Sequence, residues 1–161
     1  MNRIGHALVL VLLAALSACG GGGHGHGDAA LQVSGAWSRA VSANAPVAAG
    51  YLLIANPGPA EVRLVAVRSD AAERVEIHEM RHEDGVMRMR ELADGLAVPA
   101  GGSVELKPGG YHLMFIGPRA GAFEPGQRID ATLVLDDGRE LAVAFEVTEM
   151  SASGAPGSHP H

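Results

Sequence analysis

The apolar segments of this chain are short, and turn-forming residues separate them. After residue 30 no amphipathic periodicity extends over ten or more residues, whereas glycine (22 residues) and proline (9 residues) are frequent. Because glycine and proline permit turn dihedrals that strands cannot use, this pattern predicts many short β-strands instead of helices. The predicted strands cover residues 31–38, 46–56, 61–69, 74–80, 86–92, 103–107, 111–117, 128–135 and 140–149.

The spacing of these strands is typical of an all-β antiparallel sandwich or barrel. With 161 residues, the chain is long enough for one domain with a sizeable core. Aromatic residues make up only 4% of the sequence, so we expect Val, Leu, Ile and Ala to form the core around the single tryptophan, Trp37. The segment LVLDDGREL, residues 133–141, predicts a β-hairpin that turns at Asp137-Gly138.

The charge distribution argues against a polyanionic partner. The formal net charge is −6, and the basic residues are scattered along the chain instead of clustered. We therefore expect no nucleic-acid partner. Between the two ends of the chain there is no cysteine nucleophile, and the histidines are spaced with methionines instead of acid or serine partners. An enzyme is therefore not expected.

The N-terminal residues indicate export. A basic start, an apolar run and then small residues are typical of a signal peptide, which we assign to residues 1–18. The sequence LSAC resembles a bacterial lipoprotein cleavage motif, in which Cys19, the only cysteine, would be lipidated and would anchor a periplasm-facing protein to the membrane. Gly20 after this cysteine fits sorting to the outer membrane. An ordinary cleaved signal with a leftover thiol is the alternative.

Two polar segments flank the predicted β domain of residues 31–150. Residues 19–30 combine the lipidated cysteine with a Gly/His-rich tether, and residues 151–161 form a second tail that we expect to be disordered. Their histidines are interpreted as solvated tail residues, and weak binding of copper(II) or zinc is the alternative. These histidines are His24, His26, His159 and His161.

Three of the predicted strands each contain a pair of potential metal ligands two residues apart. Side chains at i and i+2 of a strand point to the same face, so each pair projects together. Four of the five methionines after Met1, and two of the three histidines between the tails, belong to these pairs. The pairs are His78 with Met80, Met87 with Met89, and His112 with Met114.

The loop between the first two pairs decides which of their side chains meet. A two-residue turn at Asp84-Gly85 would place Met80 opposite Met89, whereas a four-residue loop over residues 82–85 would place Met80 opposite Met87. Both loops have an even number of residues, so both keep the two pairs on one face of the hairpin.

A like-charge contact distinguishes these two loops. The two-residue turn would set Arg81 directly opposite Arg88, and like charges in that position destabilise a strand pair. The sequence therefore favours the four-residue loop, which would also place His78 opposite Met89.

The chemistry of these side chains selects the metal. Thioether sulfur is neutral and polarizable, which makes it a good ligand for copper(I) and a poor one for zinc, magnesium or calcium. A blue-copper site would need a cysteine thiolate, and the only cysteine is assigned to the lipid anchor. The alternative is a structural or adhesive lipoprotein in which the methionines only fill gaps of the core.

The spacing of four of these residues resembles a known family. His78, ten residues, Met89, twenty-two residues and then His112-Leu113-Met114 resemble the signature of the periplasmic copper chaperones called PCu(A)C. The segment LKPGGYHLMFIG also resembles their sequences. One residue more than in the family signature separates Met89 from His112, and the segment RELADGL between them can accommodate it.

The resemblance implies a cupredoxin-like antiparallel Greek-key fold and a monomeric copper chaperone. It would bind one copper(I) ion per domain and deliver it to cytochrome c oxidase assembly, with a copper-accepting oxidase subunit and other copper-assembly proteins as partners. The implied ligands are His78, Met89, His112 and Met114. Met80 and Met87 would be neighbours that shield or briefly hold the ion. A copper- or zinc-sequestering resistance protein is the alternative function.

Overall fold

The computed structural model describes residues 30–149, and this part of the chain contains ten β-strands and no helix. The all-β prediction is therefore confirmed. The strand missed by the sequence analysis, β6, is only three residues long and shows no alternation. The strands are β1 Gln32–Arg39, β2 Val47–Asn56, β3 Val62–Arg68, β4 Ala72–Glu83, β5 Val86–Glu91, β6 Leu96–Val98, β7 Gly102–Leu106, β8 Tyr111–Pro118, β9 Arg128–Leu135 and β10 Glu140–Thr148.

The strands form one sheet that closes on itself. Their order is β5-β4-β8-β7-β2-β1-β10-β9-β3-β6, and an additional pairing of β3 with β4 joins the two ends of the central eight strands into a barrel. The strands β5 and β6 are added outside this ring. The β1–β10 and β7–β8 pairings are parallel, and the others are antiparallel.

The predicted hairpin between β9 and β10 is confirmed. Residues 140–146 of β10 pair with residues 128–134 of β9. Its loop has three residues, because Leu135 N–H donates to Arg139 O (2.9 Å) and Gly138 N–H donates to Leu135 O (3.0 Å). Gly138 has φ = 85°, which is the left-handed conformation that this loop type requires at its last residue.

Phenylalanines lie at the centre of the barrel. The rings of Phe115 and Phe145 are in edge-to-face contact with centroids 5.7 Å apart, and Phe115 contacts Phe123 in the same way at 5.2 Å. A Cβ atom added at Gly50 would approach Phe115 to 2.7 Å, so the strand beside these rings needs a residue without a side chain. Aliphatic residues of the other strands pack around this group.

The prediction that the core forms around Trp37 is wrong. Trp37 is half-buried on the outside of the barrel, where its ring contacts that of Tyr51 in a tilted arrangement with a centroid distance of 4.5 Å. The neighbouring Ser38 faces inward and is fully buried. The bulge between Ser34 and Trp37 shifts the register of β1, and this shift is not visible in the sequence pattern.

Several predictions concern residues outside the described range. The signal peptide of residues 1–18, the lipidation site Cys19, the tether of residues 19–30 and the tail of residues 151–161 lie outside it except for residue 30. Within residues 30–149 there is no helix of the length and apolar character needed to cross a bilayer.

Candidate metal centre

The outer face of β4 and β8 brings the two central histidines together. On β8, Leu113 and Phe115 are fully buried in the core, so the alternating His112 and Met114 face outward. On β4, Ile77 faces the core and His78 faces outward. His78 lies directly opposite His112, with ring centroids 5.7 Å apart and ring planes inclined by 48°.

The register of β4 with β5 differs from the favoured prediction. The two strands are joined by the two-residue turn Asp84-Gly85, so Met80 lies opposite Met89 and not opposite Met87. The four-residue loop is therefore wrong. Asp84 and Gly85 have φ values of 51° and 79°, and a turn with two left-handed residues matches the twist of the flanking strands.

Neighbouring carboxylates remove the objection to the short turn. Arg81 does lie opposite Arg88, as this register requires. Arg81 Nε donates to Glu79 Oε1 at 2.8 Å, and Arg88 Nε lies 3.7 Å from Glu83 Oε2. Each guanidinium therefore has a carboxylate partner. Because these carboxylates balance the two positive charges, the arginine pair does not destabilise the strand pairing as the rule on opposed like charges predicts.

The corrected register still places the four predicted ligands on one face. His78 on β4 lies between the two flanking strands, opposite His112 of β8 and Glu91 of β5. Met114 lies opposite Glu76, and Met89 lies opposite Met80, so the two methionines are same-face diagonal neighbours of His78 in opposite directions along β4. Their binding of a metal stays a prediction.

A backbone hydrogen bond orients the ring of His112. Its Nδ1 lies 3.1 Å from Gly110 O, and because the carbonyl can only accept, Nδ1 carries the proton and Nε2 keeps the lone pair. Burial lowers the pKa of His112 below its ordinary value, the hydrogen bond to Gly110 raises it in part, and His78 nearby lowers it further. The imidazole is thus neutral near pH 7.

His78 has one nitrogen with a partner and one without. Nε2 lies 2.9 Å from Glu76 Oε2, whereas Nδ1 is buried and has no hydrogen-bond partner in the described structure. Hydrogen bonds from Arg74 and from His78 lower the pKa of Glu76, which keeps it a carboxylate that accepts the Nε2 proton. A hydrogen bond from Nε2 to this carboxylate leaves Nδ1 as the nitrogen that can face a metal, which is the arrangement that carboxylate–histidine–metal sites use.

The methionines of this face do not belong to the core. Met87 and Met89 are 50% and 48% exposed, and Met80 and Met114 are half-buried. None of the four is among the residues that form the core of the described domain or pack against it. The interpretation of these methionines as gap-fillers is therefore wrong. Since exposing a large apolar side chain has a cost, the positions need another explanation, and metal binding supplies one.

The chemistry of the ligands on this face fits copper(I) better than a harder ion. Within residues 30–149, no group of three or more His, Cys, Asp and Glu side chains is arranged to hold a metal. A metal bound by the two imidazoles on the outer face of β4 and β8 would therefore need thioether sulfur as a further ligand. Thioethers select copper(I), as the sequence analysis predicts.

Comparison with known proteins now identifies the family. The family model described as "Putative lipoprotein LpqE-like" matches residues 31–147. The chain belongs to the LpqE-like family. One relative, "Putative lipoprotein Lxx21020" of Leifsonia xyli subsp. xyli, is 35% identical over 123 residues, which cover 76% of this chain and 72% of that protein.

Solved structures similar to this LpqE-like chain include PCuAC domains. The apo PCuAC domain from PmoF1 matches with a TM-score of 0.61 and 23% identity, covering 74% of this chain and 93% of that domain. Copper(I)-bound DR1885 from Deinococcus radiodurans matches with a TM-score of 0.58 and 28% identity, covering 71% of this chain and 75% of that chain. These matches confirm the cupredoxin-like fold and the resemblance to PCu(A)C proteins.

Two further polar residues lie on the outer face of β4, and the sequence analysis did not identify them. Glu76 is not a copper(I) ligand by its chemistry, but its position two residues before His78 places it on the same face. The four-residue loop would place His82 outside the strands, whereas the two-residue turn places it on β4 opposite Met87. Asp-Gly is a common two-residue turn, and assigning that turn to Asp84-Gly85 would have shown that His82 lies on the same face as His78 and Met80.

Proposed function

We propose that this LpqE-like protein is a periplasmic copper(I)-binding chaperone that delivers copper to cytochrome c oxidase assembly. The observation that supports it is the collection of imidazole and thioether side chains on one outer face of β5, β4 and β8. The family and its relative are described as lipoproteins, which supports an anchor at Cys19 in the cell envelope, and we propose the outer membrane as its location. The proposal includes no catalytic step.

Copper(I) would be held as cargo by one set of ligands. His78 would bind through Nδ1, which has no other partner, and His112 through Nε2, which the Gly110 hydrogen bond leaves free. Met89 and Met114 would supply sulfur. All four ligands are neutral, so copper(I) would keep its single positive charge and its binding would need no deprotonation beyond that of the imidazoles.

The uneven exposure of the ligands supports a role in transfer. His78 and His112 are 8% and 6% exposed, whereas Met89 is 48% exposed. An acceptor can therefore reach the ion from the Met89 side and replace this sulfur first, while the two histidines hold copper until the acceptor ligands have bound. Stepwise exchange of this kind avoids release of the free ion.

The similar structures agree with this proposal. DR1885, which matches at 28% identity, has been solved with copper(I), and a PCuAC domain from PmoF2 has been solved with copper. Both share the fold that in this chain places His78 opposite His112.

The proposal is tested by titrating the full-length chain with copper(I) against a chromophoric chelator. We expect a tight one-to-one complex, and His112→Ala should weaken it by more than about 100-fold, since loss of a direct ligand costs more than loss of a residue that only orients one. The double variant Met89→Leu and Met114→Leu should also lose affinity while keeping its stability, because the volume is nearly conserved.

Val65→Leu is the matched control for the methionine variant, because Val65 is exposed on β3 and has no ligand chemistry. It should leave copper binding unchanged. A chain that forms no tight one-to-one complex, or a double leucine variant that binds as wild type does, would contradict the proposal. Transfer from the loaded chain to a soluble domain of a copper-accepting oxidase subunit separates delivery from sequestration, since a sequestering protein would retain the ion.

A further inference from the structure

The ribbon formed by β4 and β5 extends beyond the barrel. Pairing of β4 with β8 ends at Glu79 opposite Tyr111, followed by a single hydrogen bond from Met80 N–H to Gly110 O (3.0 Å). From residue 81 to the turn, β4 pairs only with β5 among the described strands. On the outer face of this extension, His82 lies opposite Met87. These side chains lie farther from the barrel than the site proposed above.

The backbone pattern brings the side chains of this face as close as a β-ribbon allows. Leu92 N–H donates to Ile77 O (2.8 Å), so residues 77 and 92 form a hydrogen-bonded pair of the ladder. Because such pairs alternate in an antiparallel ladder, the Met80–Met89 and His82–Met87 pairs are non-hydrogen-bonded. Side chains of this class of pair are the closest across two strands, with Cα atoms about 4.5 Å apart.

The two faces of the extended ribbon have different chemistry. Arg81, Arg88 and Arg90 lie on the opposite face, where Arg81 and Arg90 bind Glu79 at 2.8 Å each. The outer face presents His82, which is exposed and makes no hydrogen bond or ion pair in the described structure, and the 50% exposed Met87. A cation that approaches the outer face therefore meets imidazole and sulfur and no guanidinium.

We propose that Met80, His82 and Met87 form an outer copper(I) position at the end of the ribbon. Two thioethers and one imidazole from two strands suffice to hold copper(I) there, and the exposure of His82 and Met87 makes this position weaker than the inner one, because these ligands must be ordered on binding. Resting on the function proposed above, the outer position receives incoming copper(I) first. The ion then moves inward by ligand exchange and remains copper(I) throughout.

Met89 is placed to connect the two positions. It lies opposite Met80 and two residues from Met87 on the same face, and it is also the predicted inner ligand nearest to the ribbon end. One side-chain rearrangement of Met89 could therefore take the ion from the outer ligands to His78. Consecutive same-face pairs along the ribbon are about 7 Å apart, which is within the reach of methionine side chains.

The test is copper(I) titration of the full-length chain labelled with ¹³C at the methionine methyl groups and followed by NMR. The first equivalent should shift the methyl resonances of Met89 and Met114, and the second should shift those of Met80 and Met87. His82→Ala should abolish the second set of shifts, weaken the second equivalent at least about tenfold and slow loading, while leaving the first equivalent unchanged. Val86→Ala, which alters an exposed residue beside the same turn, should behave as wild type.

The possible results separate this inference from the proposed function. If the first equivalent shifts Met89 and Met114 but the second never shifts Met87, or shifts it equally in His82→Ala, the outer position does not exist and the proposed function stands. If copper(I) shifts Met80 and Met87 but never Met114, the outer position is supported and the inner ligand set fails. If no methionine methyl responds to copper(I), both are wrong.

Discussion

Two hairpins of this barrel turn at the same dipeptide, Asp-Gly, and differ in almost everything else. The β4–β5 hairpin has a two-residue turn in which both Asp84 and Gly85 have positive φ. The β9–β10 hairpin has a three-residue loop in which only Gly138 does. Every second residue of β9 is buried, whereas all six residues of β5 are exposed.

The difference in burial between β9 and β5 reflects their positions relative to the closed ring of eight strands. A strand inside the ring must give alternate side chains to the core, so β9 contributes aliphatic residues there. The outer strand β5 buries none of its six residues, so it can present methionine sulfur to solvent. The ligands of the proposed copper site lie where the ring strands β4 and β8 meet this outer strand.

The largest expected effect concerns stability. Phe145→Ala in β10 should lower the free energy of unfolding by about 3–5 kcal/mol, because Phe145 is fully buried against Phe115. Met87→Ala in β5 should change it by less than about 0.5 kcal/mol, because half of this side chain is exposed. Urea denaturation of the metal-free protein measures both. A large loss for Met87→Ala would show that the ribbon is part of the core after all.

A smaller effect, on copper(I) affinity, is expected to distinguish the two hairpins when one carboxylate on each is neutralised. Glu76→Gln should weaken copper(I) binding about 10- to 100-fold, since Glu76 orients the His78 ring through Nε2. Glu140→Gln on the β9–β10 hairpin is the matched control, because Glu140 forms an exposed ion pair with Arg68 of β3. It should leave copper binding unchanged and alter stability by at most about 1 kcal/mol. Competition against a chromophoric chelator gives the affinities, and equal losses in the two variants would contradict the role of Glu76.

The smallest expected effect is on global stability, when each of the two turn glycines is replaced by alanine. A Cβ atom at Gly85 or Gly138 meets no atom within 4 Å, so alanine at either position causes only the strain of a positive φ, about 1 kcal/mol. Gly138→Ala should lower global stability by this amount. Gly85→Ala should lower it by less than about 0.5 kcal/mol, because the ribbon beyond β8 can open locally without unfolding the barrel. Faster amide hydrogen exchange of residues 81–88 would accompany it, and equal losses of global stability would show that ribbon and barrel unfold together.

Much of the fold could be predicted from the sequence, because short apolar runs and turn residues are local signals. Nine strands and the β9–β10 hairpin were found in this way, whereas the three-residue β6 has no local pattern to detect. Trp37 was misplaced because a bulge changes which side chains of β1 face inward.

The shared face of the predicted ligands could be found from the sequence, whereas the register of β4 with β5 could not. Same-face pairs need only the two-residue repeat of a strand, so His112 and Met114 were found directly. The pairing of β4 with β5 was not, because the rule against opposed like charges ignores Glu79, which lies beside Arg81 on the same strand. Glu76 was missed because its role depends on the orientation of a neighbouring ring, which sequence spacing does not specify.

The position of β5 at the end of the sheet order has a consequence for solubility. Its outer backbone edge has no strand partner within residues 30–149, and a free edge beside exposed Val86 and Met87 would ordinarily invite addition of a strand from another molecule. Arg88, Arg90 and Glu91 occupy half of this short strand. An incoming strand would have to desolvate these charges, so the chain can keep sulfur accessible at its surface without becoming a template for aggregation.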